Sequence, residues 1–136
     1  MDFLRSMGIA ASGLRAQSGR MRVIAENIAN ADSTAAAAGG DPYRRKIPTF
    51  ASELDRSLDA RVLTMGRIRP DTSDFKVKYE PSHPAADTNG NVKYPNVNSL
   101  VEMTDLREAQ RSYEANLNIV TATRRMIQRT LDILRA

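Results

Sequence analysis

The run MTDLREAQRSYEANLNIVTATRRMIQRTLDIL, at residues 103–134, decides the fold of this chain. Its apolar positions recur at alternating spacings of three and four, which is the heptad period of a coiled coil. The run contains no Gly or Pro, and most of its residues favour a helix. We therefore predict one long helix with an apolar seam that needs a partner. The seam positions are Met103, Leu106, Gln110, Tyr113, Leu117, Val120, Arg124, Ile127, Leu131 and Leu134.

The first thirty residues show a second seam with the same spacing and supply that partner. Two chain-terminal helices with matching seams are expected to pair, antiparallel if the middle of the chain brings it back. Gly13 and Gly19 each cost about 1 kcal/mol relative to Ala in an isolated helix. We expect close packing to offset that cost. The seam positions are Phe3, Met7, Ala10, Leu14, Gln17, Met21, Ile24 and Ile28.

Three seam positions are polar, namely Gln17, Gln110 and Arg124. In one interpretation the apolar stripe rotates and leaves them at a wet edge, with the Arg stem packed and its guanidinium in water. In the other they weaken ordinary coiled-coil pairing and set its register. The sequence leaves both interpretations open.

The middle of the chain has weaker signals. Ala35–Gly40 is a low-complexity linker. Thr49–Ala60 is predicted as a short helix, because Phe50, Leu54 and Leu58 repeat every four residues.

A small β element should follow the short helix. Phe75, Val77 and Tyr79 alternate with charged residues, as in a half-buried strand, and Asn89-Gly90 marks a turn. The predicted fold class is mostly α: two long terminal helices form a discontinuous coiled-coil domain around a middle segment with a small β-hairpin. The predicted segments are 1–31, 32–102 and 103–136.

Composition excludes several classes of function. The chain has 136 residues, a net charge of +4, 5% aromatic residues and no Cys. The charges alternate in sign along the helices without basic–aromatic clusters, so we expect no nucleic-acid binding. Neither a secretory signal peptide nor a membrane helix is expected from the apolar runs. Glu80, His83 and Asp87 fit no standard metal site, and we expect no catalytic residues, cofactor, metal or small-molecule substrate.

Several segments resemble the flagellar axial proteins, the subunits of rod, hook and hook-associated structures. Residues 12–17 read SGLRAQ and residues 21–33 read MRVIAENIANADS, of which AENIANA is the most specific part. YRRK at 43–46, YEPSHPAAD at 79–87, YPNVN at 94–98 and DLxxAxRSYEAN at 105–116 are similar to the rod members of that family. The resemblance covers nearly the whole chain.

The resemblance implies a structural subunit of the rod that spans the periplasm. Such a subunit is exported by the flagellar type III apparatus and polymerises through its terminal helices. Implied partners are further copies, other rod proteins, basal-body ring proteins and the export gate. Phe50 and Leu54 resemble the element that the gate reads in rod and hook substrates. Helix and subunit packing is expected at Phe3, Met7, Leu14, Met21, Ile24, Ile28, Leu106, Tyr113, Leu117, Val120, Ile127, Leu131 and Leu134.

Two other classes of protein stay open at this point. One is a soluble helical-hairpin adaptor or export chaperone that binds a partner transiently, and it requires terminal helices that are ordered in the free monomer. The other is a nucleic-acid-binding module, whose affinity would have to survive physiological salt.

Overall fold

The computed structural model describes residues 2–135, and that part of the chain contains two long helices and three antiparallel strand pairs. Helix α1 spans Phe3–Ala29 and helix α2 spans Ser99–Arg135. The predicted fold class is confirmed. The strands are β1 (Lys46–Ile47), β2 (Phe50–Asp55), β3 (Ala60–Met65), β4 (Arg69–Pro70), β5 (Lys76–Tyr79) and β6 (Asn91–Tyr94), paired as β1–β4, β2–β3 and β5–β6.

Side chains that bind backbone groups mark both helix starts. Asp2 Oδ1 accepts a 3.1 Å bond from the Arg5 amide, and Asn98 Oδ1 accepts a 3.1 Å bond from the Leu100 amide. Because Asn98 caps α2, this helix begins at Ser99, four residues before the predicted start at Met103. The predicted seam begins at Met103 and therefore did not indicate a cap at Asn98.

The short helix predicted at Thr49–Ala60 is wrong, because these residues belong to the β2–β3 hairpin. Phe50 pairs with Met65 and Asp55 with Ala60. Spacings of four fit one face of a strand as well as one face of a helix, so the apolar pattern was ambiguous. Asp55 Oδ1 decides the outcome locally, since it accepts bonds from Ser57 N at 2.8 Å and Ser57 Oγ at 2.6 Å and so builds a turn.

The predicted β element is present as β5 and β6, with Tyr79 opposite Asn91. The turn at Asn89-Gly90 forms where expected, with Gly90 at a φ of +81° and its amide bonded to Asp87 O at 3.0 Å. The strands are nevertheless joined by the whole of residues 80–90. Val77 and Tyr79 are 58% and 72% exposed, so β5 is not the half-buried strand that its alternation predicted.

The chain divides into two compact units, each assembled from separate segments. The first unit combines the chain up to Met21, Thr49–Arg67 and the chain from Arg107 onward. The second combines Arg22–Pro48 with Ile68–Leu106. The predicted middle segment is thus shared between both units. The buried apolar residues are small or medium-sized: Ala10, Ala16, Ala60 and Ala109 in the first unit, and Val23, Ile24, Ala31, Ala85, Val92 and Val97 in the second.

Candidate assembly surfaces

Asn27, in the AENIANA motif, is the centre of a buried polar cluster in the second unit. Its Nδ2 donates to Lys46 O at 2.8 Å and to Glu102 Oε2 at 3.2 Å. Its Oδ1 accepts bonds from the Lys46 amide at 2.9 Å and from Tyr43 Oη at 2.8 Å. Two donors and two acceptor positions exhaust what an Asn side chain can bind, so Asn27 is fully satisfied at 0% exposure.

Arg45 connects this cluster to the loop after β4. Its Nε donates to Glu102 Oε1 at 2.5 Å and its Nη1 to Asp71 Oδ2 at 3.3 Å. The Arg45 amide donates to Asn96 Oδ1 at 2.8 Å. Glu102, which is 1% exposed, therefore receives one bond on each carboxylate oxygen, as a buried charge requires.

The cluster changes the ionisation of its members. Burial raises the pKa of Tyr43 to about 12, and the negative charges of Glu26 and Glu102 act in the same direction. Hydrogen bonds from Ser73 lower the pKa of Asp71. Burial by itself would lower the pKa of Arg45, yet the bonds to Glu102 and Asp71 raise it overall. The shifts in the pKa of Arg45 and of Asp71 both favour the charged form of the group, so this ion pair is charged at neutral pH.

In the first unit, the two helices run antiparallel and lie very close together. Gly13 faces Asn116, and a Cβ placed on Gly13 would lie 2.8 Å from Asn116 Nδ2. Arg20, later on α1, meets Glu108, earlier on α2, at 3.5 Å. The prediction of antiparallel helices is confirmed for this unit. The missing side chain of Gly13 is what permits this approach, which explains a residue unfavourable to helices in the middle of α1.

The β2–β3 hairpin also packs on α1, at small residues. Ser12 Oγ accepts a 3.1 Å bond from the Leu63 amide and donates a 2.7 Å bond to Ile9 O. The Met65 side chain fills the space that a Cβ on Gly19 would occupy. The small residues of α1 thus contact the β2–β3 hairpin as well as α2.

Few buried residues of either helix are predicted seam positions: three of eight on α1 and none of three on α2. On α2 the buried residues Glu102, Ala109 and Thr123 each directly precede a seam position. Sequence reasoning missed them because they are polar or small. The signal that could have found them is their own seven-residue spacing, which Asn116 shares.

The predicted packing residues fall into three groups. Ile24 is buried. A second group is half-buried: Phe3, Met7, Leu14, Met21, Ile28, Leu106, Tyr113, Val120 and Ile127. A third group is exposed in the single chain: Leu117, Leu131 and Leu134. Their part in contacts between subunits stays a prediction.

Apolar residues remain exposed on both flanks of the buried face of α2. At 100° per residue, Leu117 and Leu131 lie on one flank, and Ile119, Met126 and Ile133 lie on the other. All five are exposed. The opposite arc carries Arg, Glu and Asn residues. We name these two rows the flanking stripes of α2.

The candidate export residues Phe50 and Leu54 lie on one face of β2 and are 41% and 56% exposed. The structure places them on one strand, four residues apart along the same face, with Ser52 between them. Their predicted recognition by an export gate stays a prediction.

Neither helix among the described residues is long and apolar enough to cross a membrane. In residues 2–135, no three His, Cys, Asp or Glu side chains come together as a metal site. His83 Nδ1 instead accepts a 3.0 Å bond from the Ala85 amide inside its own loop.

Comparison with known proteins agrees with the two-helix architecture. The model of the family described as "Flagella basal body rod protein" matches residues 7–36, which include the AENIANA motif. The model described as "Flagellar basal body rod FlgEFG protein C-terminal" matches residues 88–133, which include most of α2. Fold and matches together define a structural protein of the flagellar basal-body rod.

Whole-chain relatives identify the family within this class. The flagellar basal-body rod protein FlgC of Agrobacterium fabrum is 52% identical, over 94% of this chain and 92% of the relative. The FlgC proteins of Bacillus subtilis and Salmonella typhimurium are each 37% identical over 98% of this chain, and at least 98% of each relative is covered. The chain belongs to the FlgC family of flagellar basal-body rod proteins. The resemblance stated from the sequence is confirmed.

Proposed function

We propose that this chain polymerises through its terminal helices into the rod, the axial drive shaft of the flagellum, after export by the flagellar type III apparatus. Its partners are further copies, other rod proteins, basal-body ring proteins and, during delivery, the export gate. Its location is the periplasm-spanning part of the basal body. Membership of the FlgC family of basal-body rod proteins supports this proposal.

The observation that carries the proposal is the pair of flanking stripes on α2. A single chain leaves Leu117, Ile119, Met126, Leu131 and Ile133 exposed in two rows on α2, on either side of its buried face. Exposed apolar rows beside a polar arc are typical of surfaces that bind other proteins. Burial of these side chains between neighbouring subunits would stabilise the polymer by about 25 cal/mol for each Å² of apolar surface removed from water.

Leu117→Asp tests the assembly role. Burying a charge in a subunit contact costs free energy, whereas the same charge at an exposed helix position of the monomer stays in water. We expect the variant to keep its helix content and its secretion but to be lost from isolated basal bodies. Asn118→Asp, about 100° around the helix on the polar arc, is the control and should assemble normally. Normal incorporation of Leu117→Asp would contradict the role of this stripe.

The export role is tested at β2. Phe50 and Leu54 are exposed, so replacing both with Ala removes little packing from the folded chain. We expect lower secretion, with the chain accumulating inside the cell. The control is Ile68→Ala, another exposed apolar residue outside the hairpin. Secretion of the double variant equal to that of the natural chain would remove the export assignment.

A further inference from the structure

Strands β2 and β5 each have one edge that no other strand covers. Both belong to two-stranded pairs, so β2 is bonded only to β3 and β5 only to β6 among the described strands. An uncovered edge presents unpaired amide and carbonyl groups to any strand of suitable shape. Every residue of β5 is exposed, as is every residue of β2 except Asp55.

The ladder bonds show which backbone groups point outward. Gly66 N donates to Thr49 O at 2.7 Å, and in an antiparallel pair the bonded positions alternate. Therefore Phe50, Ser52 and Leu54 turn their amides and carbonyls away from β3. By the same reasoning, the 2.9 Å bond from Glu80 N to Gly90 O leaves the outward backbone groups of β5 at Val77 and Tyr79.

The two edges carry opposite charge. Strand β2 has the sequence FASELD, with Glu53 and Asp55 and no basic residue. Strand β5 has the sequence KVKY, with Lys76 and Lys78 and no acidic residue. In both strands the charged residues alternate with the outward-facing positions. The two strands therefore match in charge and in alternation.

We propose that β5 of one copy of this chain adds to the β2 edge of a second copy as an antiparallel strand. One register satisfies both requirements: Leu54 faces Val77 and Ser52 faces Tyr79 through outward backbone groups. Lys76 then stands opposite Asp55, and Lys78 opposite Glu53. Directly opposed charges of unlike sign and apolar pairs are both favourable across strands. Main-chain bonds would supply affinity and the side chains would supply register.

The contact is between different surfaces of the two copies, so it leaves a free β2 and a free β5 at either end. Contacts of this kind propagate into an open helical polymer instead of closing as a dimer. The proposal rests on the proposed function, polymerisation into the rod, and adds a second contact to that of the α2 stripes. In an alternative role, lysines on an edge strand prevent other strands from pairing with it. The charge-exchange test below separates the two roles.

Disulfide formation tests the register, because the natural chain contains no Cys. Ser52→Cys and Tyr79→Cys chains are produced together, with one tagged, and basal bodies are isolated and oxidised. Opposite bonded residues have Cα atoms about 5.5 Å apart, which is within reach of a disulfide. We expect a mixed disulfide between tagged and untagged chains. The control pair, Ser52→Cys with Val77→Cys, is displaced by two residues, so its Cα atoms lie roughly 7–8 Å apart, and it should give about tenfold less.

Charge exchange provides a second measurement that needs no Cys. Lys78→Glu should lower incorporation into basal bodies about fivefold, and adding Glu53→Lys to the same chain should restore it. Arg56→Glu, in the turn after β2, should have no effect. A natural chain that never enters basal bodies would contradict the proposed function. A chain that enters them without the mixed disulfide and without charge rescue would overturn the strand contact alone.

Discussion

The Nδ2 atom of Asn27 donates a 3.2 Å hydrogen bond to Oε2 of Glu102, between two side chains that water does not reach. Asn27 is on α1 and Glu102 is on α2, so one bond between buried polar groups joins the two terminal helices within the second unit. The same Asn holds the chain segment at Lys46 through two backbone bonds. The most specific part of the family signature is therefore a structural centre.

Asn27→Ala should destabilise the chain by about 3 kcal/mol, because it leaves the carboxylate of Glu102 and the backbone of Lys46 buried with fewer partners. Urea unfolding followed by circular dichroism measures the loss. Tyr43→Phe removes only one bond of the same cluster and should cost about 1 kcal/mol. Asn118→Ala, on the exposed arc of α2, is the neutral control. A loss at Asn27 no larger than at Asn118 would contradict the central role of the cluster.

Gly13→Ala should couple to Asn116. A Cβ at Gly13 would lie 2.8 Å from Asn116 Nδ2 and 3.0 Å from its Cγ, so the Asn side chain must move. In the Asn116→Ala background the obstacle is absent, and Ala should then stabilise α1 by about 1 kcal/mol relative to Gly. A double-mutant cycle should give a coupling energy of at least about 1 kcal/mol. Additive effects would show that the helices do not meet at this point.

Gln17→Leu should stabilise the chain by about 1 kcal/mol. Gln17 is buried and its Oε1 has no hydrogen-bond partner within residues 2–135, so replacing the amide with an apolar group of similar size removes an unsatisfied acceptor. Gln17→Ala is the matched control, since it removes the amide but leaves a cavity and should destabilise. Thermal unfolding of the three proteins compares them. A lower melting temperature for Gln17→Leu would mean that the amide has a partner in solution.

Alkaline pH should weaken the second unit through Tyr43. Its folded pKa is raised to about 12, so the phenol binds its proton more tightly in the folded chain than in the unfolded one. The stabilisation of the folded chain by the protonated Tyr43 phenol is fully present below a pH of about 10 and is lost as pH rises through about 12. Urea unfolding of Tyr43→Phe should show a flatter decline over that range. Tyr79→Phe, at an exposed position, should decline like the natural chain.

Local patterns were sufficient to predict the two terminal helices. Heptad spacing, and the lack of Gly or Pro in residues 103–134, do not depend on the tertiary structure. The β5–β6 pair was likewise visible in alternation and in the turn at Asn89-Gly90. Phe50 and Leu54 were predicted on a helix and lie on a strand, since a spacing of four is shared by both structures. Only the turn bonds of Asp55 and the pairing partner β3 distinguish them.

The burial of the polar seam positions also could not be predicted from the local sequence. Gln110 and Arg124 are exposed, as the wet-edge interpretation expected, whereas Gln17 is buried. Nothing in the local sequence separates the three, because the difference depends on which helix face meets a neighbour. Whether these residues also restrain pairing between subunits stays a prediction.

The sequence by itself determined the family and the two long helices, because these depend on residue identity and on short-range periodicity. Only the tertiary structure decided which face of each helix is buried. Heptad reasoning favours large apolar residues, but here the helices approach at Gly13 and Asn116, where the missing side chain of Gly13 allows close contact. Leu117 and Leu131 were consequently left on the surface, and that choice depends on the shape of the opposing helix, which no local pattern contains.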